Sequence, residues 1–374
     1  MRFTINKADL IRELSLINGI VEKRSTIAIL SNMYIKAEGQ LLYLKGTDLE
    51  VGLTVALKAD IEEDGVVIVS AKKFFEIVRV LPDGDITFWI EDEWLKIEKG
   101  QSFYSINAQV DDNYPIIPDY DFSFNIVKLP KGPISDVIST VSVSINTEMI
   151  KERALNGAFF EFYDNEINIV TSNRHTLFVA STALEQTEEI ENTNFILSKK
   201  TFLELKKMIQ HAKESDMLLM GRDGTNIFFQ AGSRVLFSRL VNQSFVDYRS
   251  FFTDQEQLTE LLLKVAHIKD IIKELQPLSG QFSKKIIFEF DQGNIIASLQ
   301  DIEGSVGIVR KPLQYKGKYF KLGYNIEYLS SFFNVVDVEE VRALMDTTGE
   351  KAANFLFTKN GVDYTFLINP LILE

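Results

Sequence analysis

The chain has 374 residues, of which 25% are charged and 45% hydrophobic, with 40 basic and 53 acidic side chains. This is the composition of a globular protein, and at about 150 residues per domain the length predicts two to three domains. The lack of cysteine excludes disulfides, thiolate metal sites and cysteine nucleophiles, and it fits a reducing, intracellular compartment. The net charge of −13 argues against a nucleic-acid-binding protein unless basic residues are concentrated on one surface.

No stretch of the sequence approaches about 18 apolar residues, so we expect no membrane span and no membrane partner. Residues 1–24 are interrupted by charge and lack the apolar core of a signal peptide, which predicts a cytoplasmic protein. The three histidines, His175, His211 and His267, are never in an HxxxH or HxH spacing, and the usual phosphate-binding and catalytic motifs are missing. We therefore expect no catalytic residue, no metal site and no cofactor, and a binding protein rather than an enzyme.

The first third of the chain alternates predicted strands with two predicted helices. The first helix has amphipathic spacing through Leu10, Leu14 and Ile17, and the second ends before the breaker Pro82-Asp83-Gly84. In chain order the predictions are a strand at Arg2–Asn6, a helix at Lys7–Asn18, strands at Asn32–Ala37, Leu41–Lys45, Leu53–Ala59 and Gly65–Val69, a helix at Ala71–Leu81, and strands at Asp85–Ile90, Trp94–Glu98 and Ser102–Asn107.

Landmarks of this pattern recur after about 125 residues. The helix start at Lys72 matches Lys199, which lies 127 residues later, and more weakly Asn325, which lies a further 126 residues on. Apolar strands end in small polar clusters at Thr47-Asp48, Ser172-Asn173 and Gln300-Asp301. Glycines in turns between strands occur at Gly100, Gly232 and Gly361. Three such repeats account for the whole chain, and the alternative is a chance match between three domains of similar size.

The repeat predicts an α+β fold of three repeated domains, each with two helices and about eight strands. The strands are expected to form antiparallel sheets with the helices on one face. We place the domains at residues 1–122, 123–253 and 254–374, with one boundary near Asp119–Ser123, after the segment Tyr114–Pro118, and the other near Phe252–Gln257.

Basic residues recur on the second predicted helix of the first two repeats. Lys199, Lys206 and Lys213 are spaced seven residues apart, as are Lys72 and Arg79, and seven residues make about two helical turns. Lys200 and Lys207 form a neighbouring pair, and Phe202, Leu205 and Ile209 are expected on the apolar side. The third repeat has no basic residue from Gly323 to Val341, but its first helix is expected to carry Lys264, His267, Lys269 and Lys273. The alternative interpretation is a solvated helix face.

Several segments resemble the bacterial DNA polymerase III β subunit, the family of replication sliding clamps. They are residues 24–32 (RSTIAILSN), 46–50 (GTDLE), 71–75 (AKKFF), 155–157 (LNG), 240–242 (LVN), 245–249 (FVDYR) and the apolar tail with Pro370. The resemblance spans the chain and implies the DNA clamp fold, in which two three-domain chains join head to tail as a ring with helices lining the hole. It implies a homodimer that encircles double-stranded DNA without sequence specificity. It also implies short linear motifs in the replicative polymerase, clamp loader and repair proteins that bind an apolar pocket and so confer processivity.

The resemblance also implies where DNA is contacted. Arg24 matches a loop arginine that touches DNA in the family, whereas Met149 stands where a DNA-contacting glutamine is common. The basic helix residues would line the hole, namely Lys72, Arg79, Lys199, Lys206 and Lys213.

The peptide pocket implied by the resemblance lies between domains two and three. Its residues are Leu155, Ser172, Arg174, His175, Leu177, Val246, Leu367, Ile368, Pro370 and Leu371. Around His175 the residues Ser172, Asn173, Arg174 and Thr176 depart from the usual Thr-Asp-Gly-His-Arg-Leu pattern, Val246 replaces a proline, and Ile372 replaces an arginine. From the residues alone, Leu155, Leu177 and Leu371 are equally compatible with an ordinary core.

For the ring interface, the resemblance implies that Lys73, Tyr104 and Ile106 of the first domain face Leu275, Asp301 and Glu303 of the third domain. A different class of function also fits the repeat. This is a threefold-repeat scaffold that binds proteins but no DNA.

Overall fold

The computed structural model describes residues 1–22, 27–110, 113–146, 153–184, 192–252 and 258–373. Its helices are α1 (Lys7–Ile20), α2 (Ala71–Val80), α3 (Lys131–Val141), α4 (Lys199–His211), α5 (Val265–Leu275) and α6 (Ile326–Val335). Within these ranges, no helix combines the length and the apolar character needed to cross a membrane.

The strands fall into three groups that follow the predicted repeats. The first group is β1 (Arg2–Asn6), β2 (Asn32–Glu38), β3 (Leu41–Thr47), β4 (Val51–Lys58), β5 (Asp60–Glu63), β6 (Gly65–Ser70), β7 (Asp85–Glu91), β8 (Trp94–Lys99) and β9 (Ser102–Gln109). The second is β10 (Ile126–Leu129), β11 (Gly157–Tyr163), β12 (Glu166–Ser172), β13 (Thr176–Ala183), β14 (Thr193–Ser198), β15 (Leu218–Asp223), β16 (Asn226–Ala231) and β17 (Arg234–Arg239). The third is β18 (Thr259–Lys264), β19 (Lys285–Asp291), β20 (Asn294–Gln300), β21 (Val306–Pro312), β22 (Phe320–Asn325), β23 (Glu340–Met345), β24 (Ala353–Lys359) and β25 (Val362–Ile368).

The predicted α+β fold with two helices per repeat is confirmed, and every predicted element of the first repeat is found to within a few residues. Helix α1 runs two residues further than predicted, to Ile20, because Ile20 is also fully buried. Strand β5 was not predicted, since its sequence Asp60-Ile61-Glu62-Glu63 is mostly acidic and shows no apolar alternation.

Two compact units make up the chain. The first unit comprises Met1–Lys131 and Lys200–Leu240, and the second comprises Gly132–Lys199 and Val241–Glu374. The predicted division into three domains remains a prediction.

The first unit contains one antiparallel sheet of 13 strands, in the order β10-β15-β16-β17-β4-β3-β2-β6-β9-β8-β7-β1-β5. Strand β17 of the second repeat pairs with β4 of the first, with Arg234 opposite Val55 and Ser238 opposite Val51. Helices α1 and α2 pack together and bury apolar residues such as Leu10, Leu14, Ile17, Phe74 and Val78.

The second unit contains an eight-stranded sheet in the order β14-β11-β12-β13-β25-β24-β23-β18 and a four-stranded sheet in the order β21-β20-β19-β22. Strand β25 of the third repeat pairs with β13 of the second, with Leu367 opposite Leu177. Adjacent repeats are therefore joined in the same way in both units, since the last strand of one repeat pairs with a middle strand of the repeat before it.

The small polar clusters at the ends of the apolar strands form equivalent turns. Asp48, Asn173 and Asp301 each follow an apolar strand, and one side-chain oxygen of each accepts two backbone N–H hydrogen bonds from the next few residues, at 2.7 to 3.0 Å. Such Asx turns replace the backbone hydrogen bonds that the chain gives up as it reverses. Turn glycines Gly100, Gly232 and Gly361 all have positive φ, between 60° and 75°, which explains their recurrence.

A buried ion pair ties the first two repeats together within the first unit. Glu13 of α1 accepts two hydrogen bonds from the Arg234 guanidinium of β17, at 2.6 and 2.5 Å. The side chains are only 1% and 9% exposed. Nearby, Lys200 Nζ donates to Asp48 Oδ2 at 2.5 Å. Lys200, one of the pair beside the lysine row, is therefore committed to structure.

Candidate functional site

An apolar cleft of about 420 Å³ opens on the second unit where β13 pairs with β25. Its lining residues are Leu155, Ser172, Arg174, His175, Thr176, Leu177, Val246, Ser250, Phe251, Lys351, Ala352, Leu367 and Asn369. Seven of the ten pocket residues expected from the resemblance lie in this lining.

The floor of the cleft is the outer layer of a hydrophobic cluster. Leu177 and Leu367 face each other across the β13–β25 pair and are buried together with Phe159, Val179 and Tyr248. Partly buried Ala352 packs against the same cluster. An apolar floor of this kind favours ligands that present apolar side chains.

The turn between β12 and β13 forms one rim. Arg174 has a positive φ of 75°. The Asn173 side-chain oxygen stabilises this turn by accepting hydrogen bonds from the N–H groups of His175 and Thr176. The exposed His175 ring stacks on Tyr328 of α6, with ring centroids 5.6 Å apart. Arg174 and His175 therefore line the rim of the cleft and not its floor.

Two further walls come from distant parts of the chain. Residues 245–251 provide Val246, Ser250 and Phe251, while the loop before β24 provides Lys351 and Ala352. In that loop the Asp346 carboxylate accepts hydrogen bonds from the N–H groups of Thr348, Glu350 and Lys351, at 3.0 to 3.1 Å. Burial raises the pKa of Asp346, but the hydrogen bond from the Thr348 hydroxyl, at 2.7 Å, and those from the three N–H groups outweigh burial and hold the pKa below its ordinary value. The ionised carboxylate therefore fixes the loop.

Three of the predicted pocket residues, Ile368, Pro370 and Leu371, lie outside this lining. Ile368 is fully buried, because side chains alternate along a strand and its neighbour Leu367 faces the cleft. Pro370 and Leu371 lie beyond the lining, and the Leu371 N–H donates to the Gly323 carbonyl at 2.8 Å.

Sequence reasoning missed six lining residues, namely Thr176, Ser250, Phe251, Lys351, Ala352 and Asn369. Thr176 and Asn369 adjoin predicted residues and could have been included on proximity. Nothing in the sequence connects Lys351 or Phe251 with His175, because only the fold brings these segments together.

Most of the basic residues predicted on the second helix of the first two repeats do lie on those helices. Lys72 and Arg79 are exposed on α2, and Lys199 and Lys206 are half-buried on α4, about two turns apart. Phe202, Leu205 and Ile209 are buried on α4, as expected. Lys213 was wrongly assigned to this helix. Helix α4 ends at His211, and the Lys213 N–H closes a turn by donating to Asp216 Oδ2 at 2.9 Å.

Lys264 was also wrongly assigned to a helix, because it ends β18 and only caps α5, whereas His267, Lys269 and Lys273 do lie on α5. The expected DNA contact Arg24 and the substituted position Met149 lie outside the described residues.

Two strand edges stand out among the expected interface residues. Tyr104 and Ile106 lie on β9, which Lys73 adjoins. Strand β9 pairs with β8 over residues 102–107 and with β6 only through Ala108 and Gln109, so the side of β9 opposite β8 has no partner among the described strands at residues 102–107. Strand β21 pairs only with β20 among the described strands, and Asp301 and Glu303 lie in the turn that precedes it. Of the expected interface residues, Leu275 is only 1% exposed in the single chain and Ile106 only 8%.

The apolar surface near these edges belongs to residues that were not predicted. Phe103 on β9 is 57% exposed, and Val306 and Ile308 on β21 are 57% and 68% exposed. Among the residues that the structure describes, no group of three or more His, Asp or Glu side chains is placed to hold a metal ion.

Comparison with known proteins places this architecture in a family. A model of the N-terminal domain of the DNA polymerase III beta subunit matches residues 1–118, and a model of its central domain matches residues 128–247. The two matches cover more than half of the chain. The chain belongs to the DNA polymerase III beta subunit family.

Individual relatives agree with this assignment. The beta sliding clamp of Haemophilus influenzae is 27% identical over 349 residues, which are 91% of this chain and 92% of the relative. That of Escherichia coli K12 is 27% identical over 92% of this chain and 93% of the relative.

The fold is shared with solved clamp structures over the full length of both chains. A DNA polymerase sliding clamp from Bacillus subtilis superposes with a TM-score of 0.91 at 20% identity. A sliding clamp from Pseudomonas aeruginosa bound to griselimycin superposes with a TM-score of 0.91 at 23% identity.

Proposed function

We propose that the protein is a sliding clamp, a non-enzymatic processivity factor that encircles double-stranded DNA as a homodimeric ring. It tethers the replicative polymerase, the clamp loader and repair proteins through the apolar cleft. This role belongs in the cytoplasm, where the bacterial chromosome is replicated. The observation that carries the proposal is the repeated way in which successive repeats are joined, together with the family membership.

The strand pairing gives a physical route to ring closure. Strand β4 of the first repeat pairs with β17 of the second, and β13 of the second pairs with β25 of the third. The equivalent strands without such a partner in the described chain are β21 of the third repeat and β9 of the first. Continuing the same rule, β21 of one chain pairs with β9 of another, and two head-to-tail pairings close a ring.

The exposed apolar residues support this closure. A long edge strand with exposed apolar side chains is a template for pairing with another chain, and soluble proteins cover or charge such edges. Phe103, Val306 and Ile308 flank the two edges and are covered once the edges pair. The proposed interface also includes the polar and apolar residues next to the paired strands, namely Lys73, Tyr104, Ile106, Asp301 and Glu303.

Replacing Ile308 by aspartate should convert the homodimer into a monomer that is still folded. Burying a carboxylate at the paired edges removes apolar contact and adds an unpaired charge. Multi-angle light scattering at micromolar protein checks the mass, and unchanged circular dichroism checks the fold. Leu262→Asp is the matched control, because Leu262 is 53% exposed on the edge strand β18. A dimeric Ile308→Asp protein would contradict the proposed interface.

The cleft fits the proposed tether because it is apolar, preformed and lined by segments from the second and third repeats. An extended peptide that places alternate apolar side chains on the floor gains affinity from their burial, while the polar rim restricts its orientation. The residues around His175 that differ from the family pattern leave the floor of the cleft apolar but change its rim. We therefore propose that the partner motif is adapted to Arg174 and Lys351 on that rim.

Replacing Val246 by aspartate should weaken binding to the cleft by at least about tenfold, because a charge replaces apolar contact at the wall. Val246 is 39% exposed, so the fold should be unaffected. Fluorescence anisotropy with a labelled peptide of alternating leucine and phenylalanine measures the change, and competition by griselimycin provides a second probe. Val110→Asp, at a 52% exposed valine of the first unit, serves as the control. Equal affinity of both variants would exclude this cleft.

The experiment that tests the whole proposal uses topology. A ring loaded onto a closed circular duplex by the clamp loader should remain bound in buffer without free protein and dissociate when the DNA is cut once. A protein that is held by affinity alone should dissociate at the same rate from the intact circle and from the cut DNA. Retention that does not depend on circularity would favour the alternative function, a protein-binding scaffold that does not encircle DNA.

A further inference from the structure

One wall of the cleft is made by a segment that has little structure of its own. Residues 245–251 supply Val246, Ser250 and Phe251 to the lining. The only regular element in this segment is a four-residue 3₁₀ helix, Tyr248–Phe251. So short a helix gains too few hydrogen bonds to be stable by itself, and side chains from elsewhere must hold the wall in position.

The strongest contacts to this wall come from Glu161 of β11. Its Oε2 accepts a hydrogen bond from the Tyr248 hydroxyl at 2.7 Å. The Arg249 guanidinium donates to both carboxylate oxygens, at 2.8 and 2.5 Å, and also lies over the Tyr248 ring, 4.7 Å from its centroid. A two-pronged arginine–carboxylate pair fixes orientation as well as distance.

Glu161 is itself held by the sheet. Asn168, its cross-strand partner on β12, donates from Nδ2 to Glu161 Oε2 at 3.3 Å. The Asn168 side-chain oxygen accepts from the Ser181 hydroxyl of β13 at 2.5 Å. The carboxylate is therefore anchored across three strands of one sheet, including β13, which forms the cleft floor.

Phe159 completes the support on the same face of β11. It stacks on Phe245 with ring centroids 4.9 Å apart and meets Tyr248 edge-on at 6.2 Å. The apolar contact accounts for why the segment packs against β11. The ionic contact at Glu161 determines how Tyr248 and Arg249 are oriented, and thus where Ser250 and Phe251 lie.

The ionised form of Glu161 is favoured by this arrangement. Burial raises its pKa, but the hydrogen bonds from Arg249 and Tyr248 outweigh burial and lower the pKa below its ordinary value. The Tyr248 pKa is raised, first by burial and then by its hydrogen bond to Glu161, so the tyrosine stays a donor.

We propose that Glu161 is a positioning residue of the cleft: it touches no bound partner, yet its carboxylate fixes the wall that the partner contacts. The inference rests on the proposed function only for what the cleft binds. It predicts that partner affinity depends on a residue outside the lining and that the dependence is graded. Glu161→Gln keeps one acceptor for Tyr248 but loses the charged pair with Arg249, so its effect should lie between wild type and Glu161→Ala.

The test compares wild type, Glu161→Ala, Glu161→Gln and Arg249→Lys in the full-length protein. Glu260→Ala is the matched control, because Glu260 accepts from Arg342 at 2.9 Å across the β18–β23 pair and does not line the cleft. Two quantities are measured, namely hydrogen exchange of the amides in residues 245–252 and affinity for the leucine–phenylalanine peptide and griselimycin. The amides of Ser250 and Phe252, which donate within the segment, report on its opening.

In Glu161→Ala we expect exchange in residues 245–252 to rise at least about tenfold and affinity for both probes to fall about five- to twentyfold. Glu161→Gln and Arg249→Lys should be intermediate, and Glu260→Ala should match wild type in both measurements. A Glu161→Ala protein with wild-type exchange in this segment and wild-type affinity would overturn the proposal. If Glu161→Ala does not fold, the intermediate variants decide by the same two measurements.

The two proposals fail in different ways. Wild-type protein that binds neither probe would contradict the peptide-binding function of the cleft, whereas the exchange data would still support or overturn the role of Glu161. Wild-type binding that is insensitive to all three variants would leave the function intact and remove Glu161 from it.

Discussion

Replacing Arg234 by alanine should destabilise the first unit by about 3–5 kcal/mol, because it leaves the Glu13 carboxylate buried and without its main partner. Glu13 is 1% exposed, and its two oxygens accept the two hydrogen bonds from the guanidinium. Arg12 reaches only one of those oxygens, at 3.3 Å, and is itself 45% exposed, so it cannot compensate.

Urea denaturation followed by tryptophan fluorescence measures this effect. The chain has two tryptophans, Trp89 and Trp94, and both lie in the first unit. Arg239→Ala is the matched control on the same strand, since Arg239 pairs with Glu50 at 3.9 Å and both side chains are more than half exposed. Exposed pairs contribute about 0–1 kcal/mol, so the control should barely change the midpoint.

The double replacement Glu13→Leu with Arg234→Met should recover most of the loss, because two apolar side chains of similar size need no charge partner. If Arg234→Ala were no more destabilising than Arg239→Ala, the pair would not hold the first two repeats together.

Replacing Lys199, Lys206 and Lys213 together by glutamate should reduce clamp-dependent stimulation of DNA synthesis by about tenfold or more. Nonspecific DNA binding comes from lysine and arginine contacts to phosphates, and each reversed residue both removes an attraction and adds a repulsion. Glutamate is a good helix former, so α4 should persist. Because Lys213 lies in the turn after α4, Lys199→Glu with Lys206→Glu should account for most of the effect.

The control replaces Lys316, Lys318 and Lys321 by glutamate, which changes the net charge from −13 to −19 as the first set does. These lysines are exposed and lie outside every helix. Clamp-dependent stimulation is measured for both triple variants by primer extension on a long circular template at several salt concentrations. Equal stimulation by both triple variants would show that the α4 lysines do not face DNA and would favour the scaffold alternative.

Much of this protein follows from local sequence. Strands such as β1 and helices such as α1 were predicted because apolar residues recur with period two or 3.6 within a single segment. The turn glycines and the Asx residues were recognised because the required backbone conformation restricts residue choice. The threefold repeat and the resemblance to sliding clamps each combine many such local patterns along the whole chain. The fold and the family that they predict are both confirmed.

The tertiary structure decided what depends on distant segments meeting. The resemblance places Leu275 at the ring interface, yet packing leaves it only 1% exposed in the single chain. The seven-residue spacing of lysines continues to Lys213, but helix α4 already ends at His211. The Glu13–Arg234 pair joins residues 221 positions apart, and Glu161 reaches Arg249 across 88. Periodicity carries no information about such contacts, because ion pairs and cleft walls are selected by three-dimensional proximity and burial. The sequence by itself therefore determined the repeated elements and the family, while the folded chain determined the cleft walls and the charges that support them.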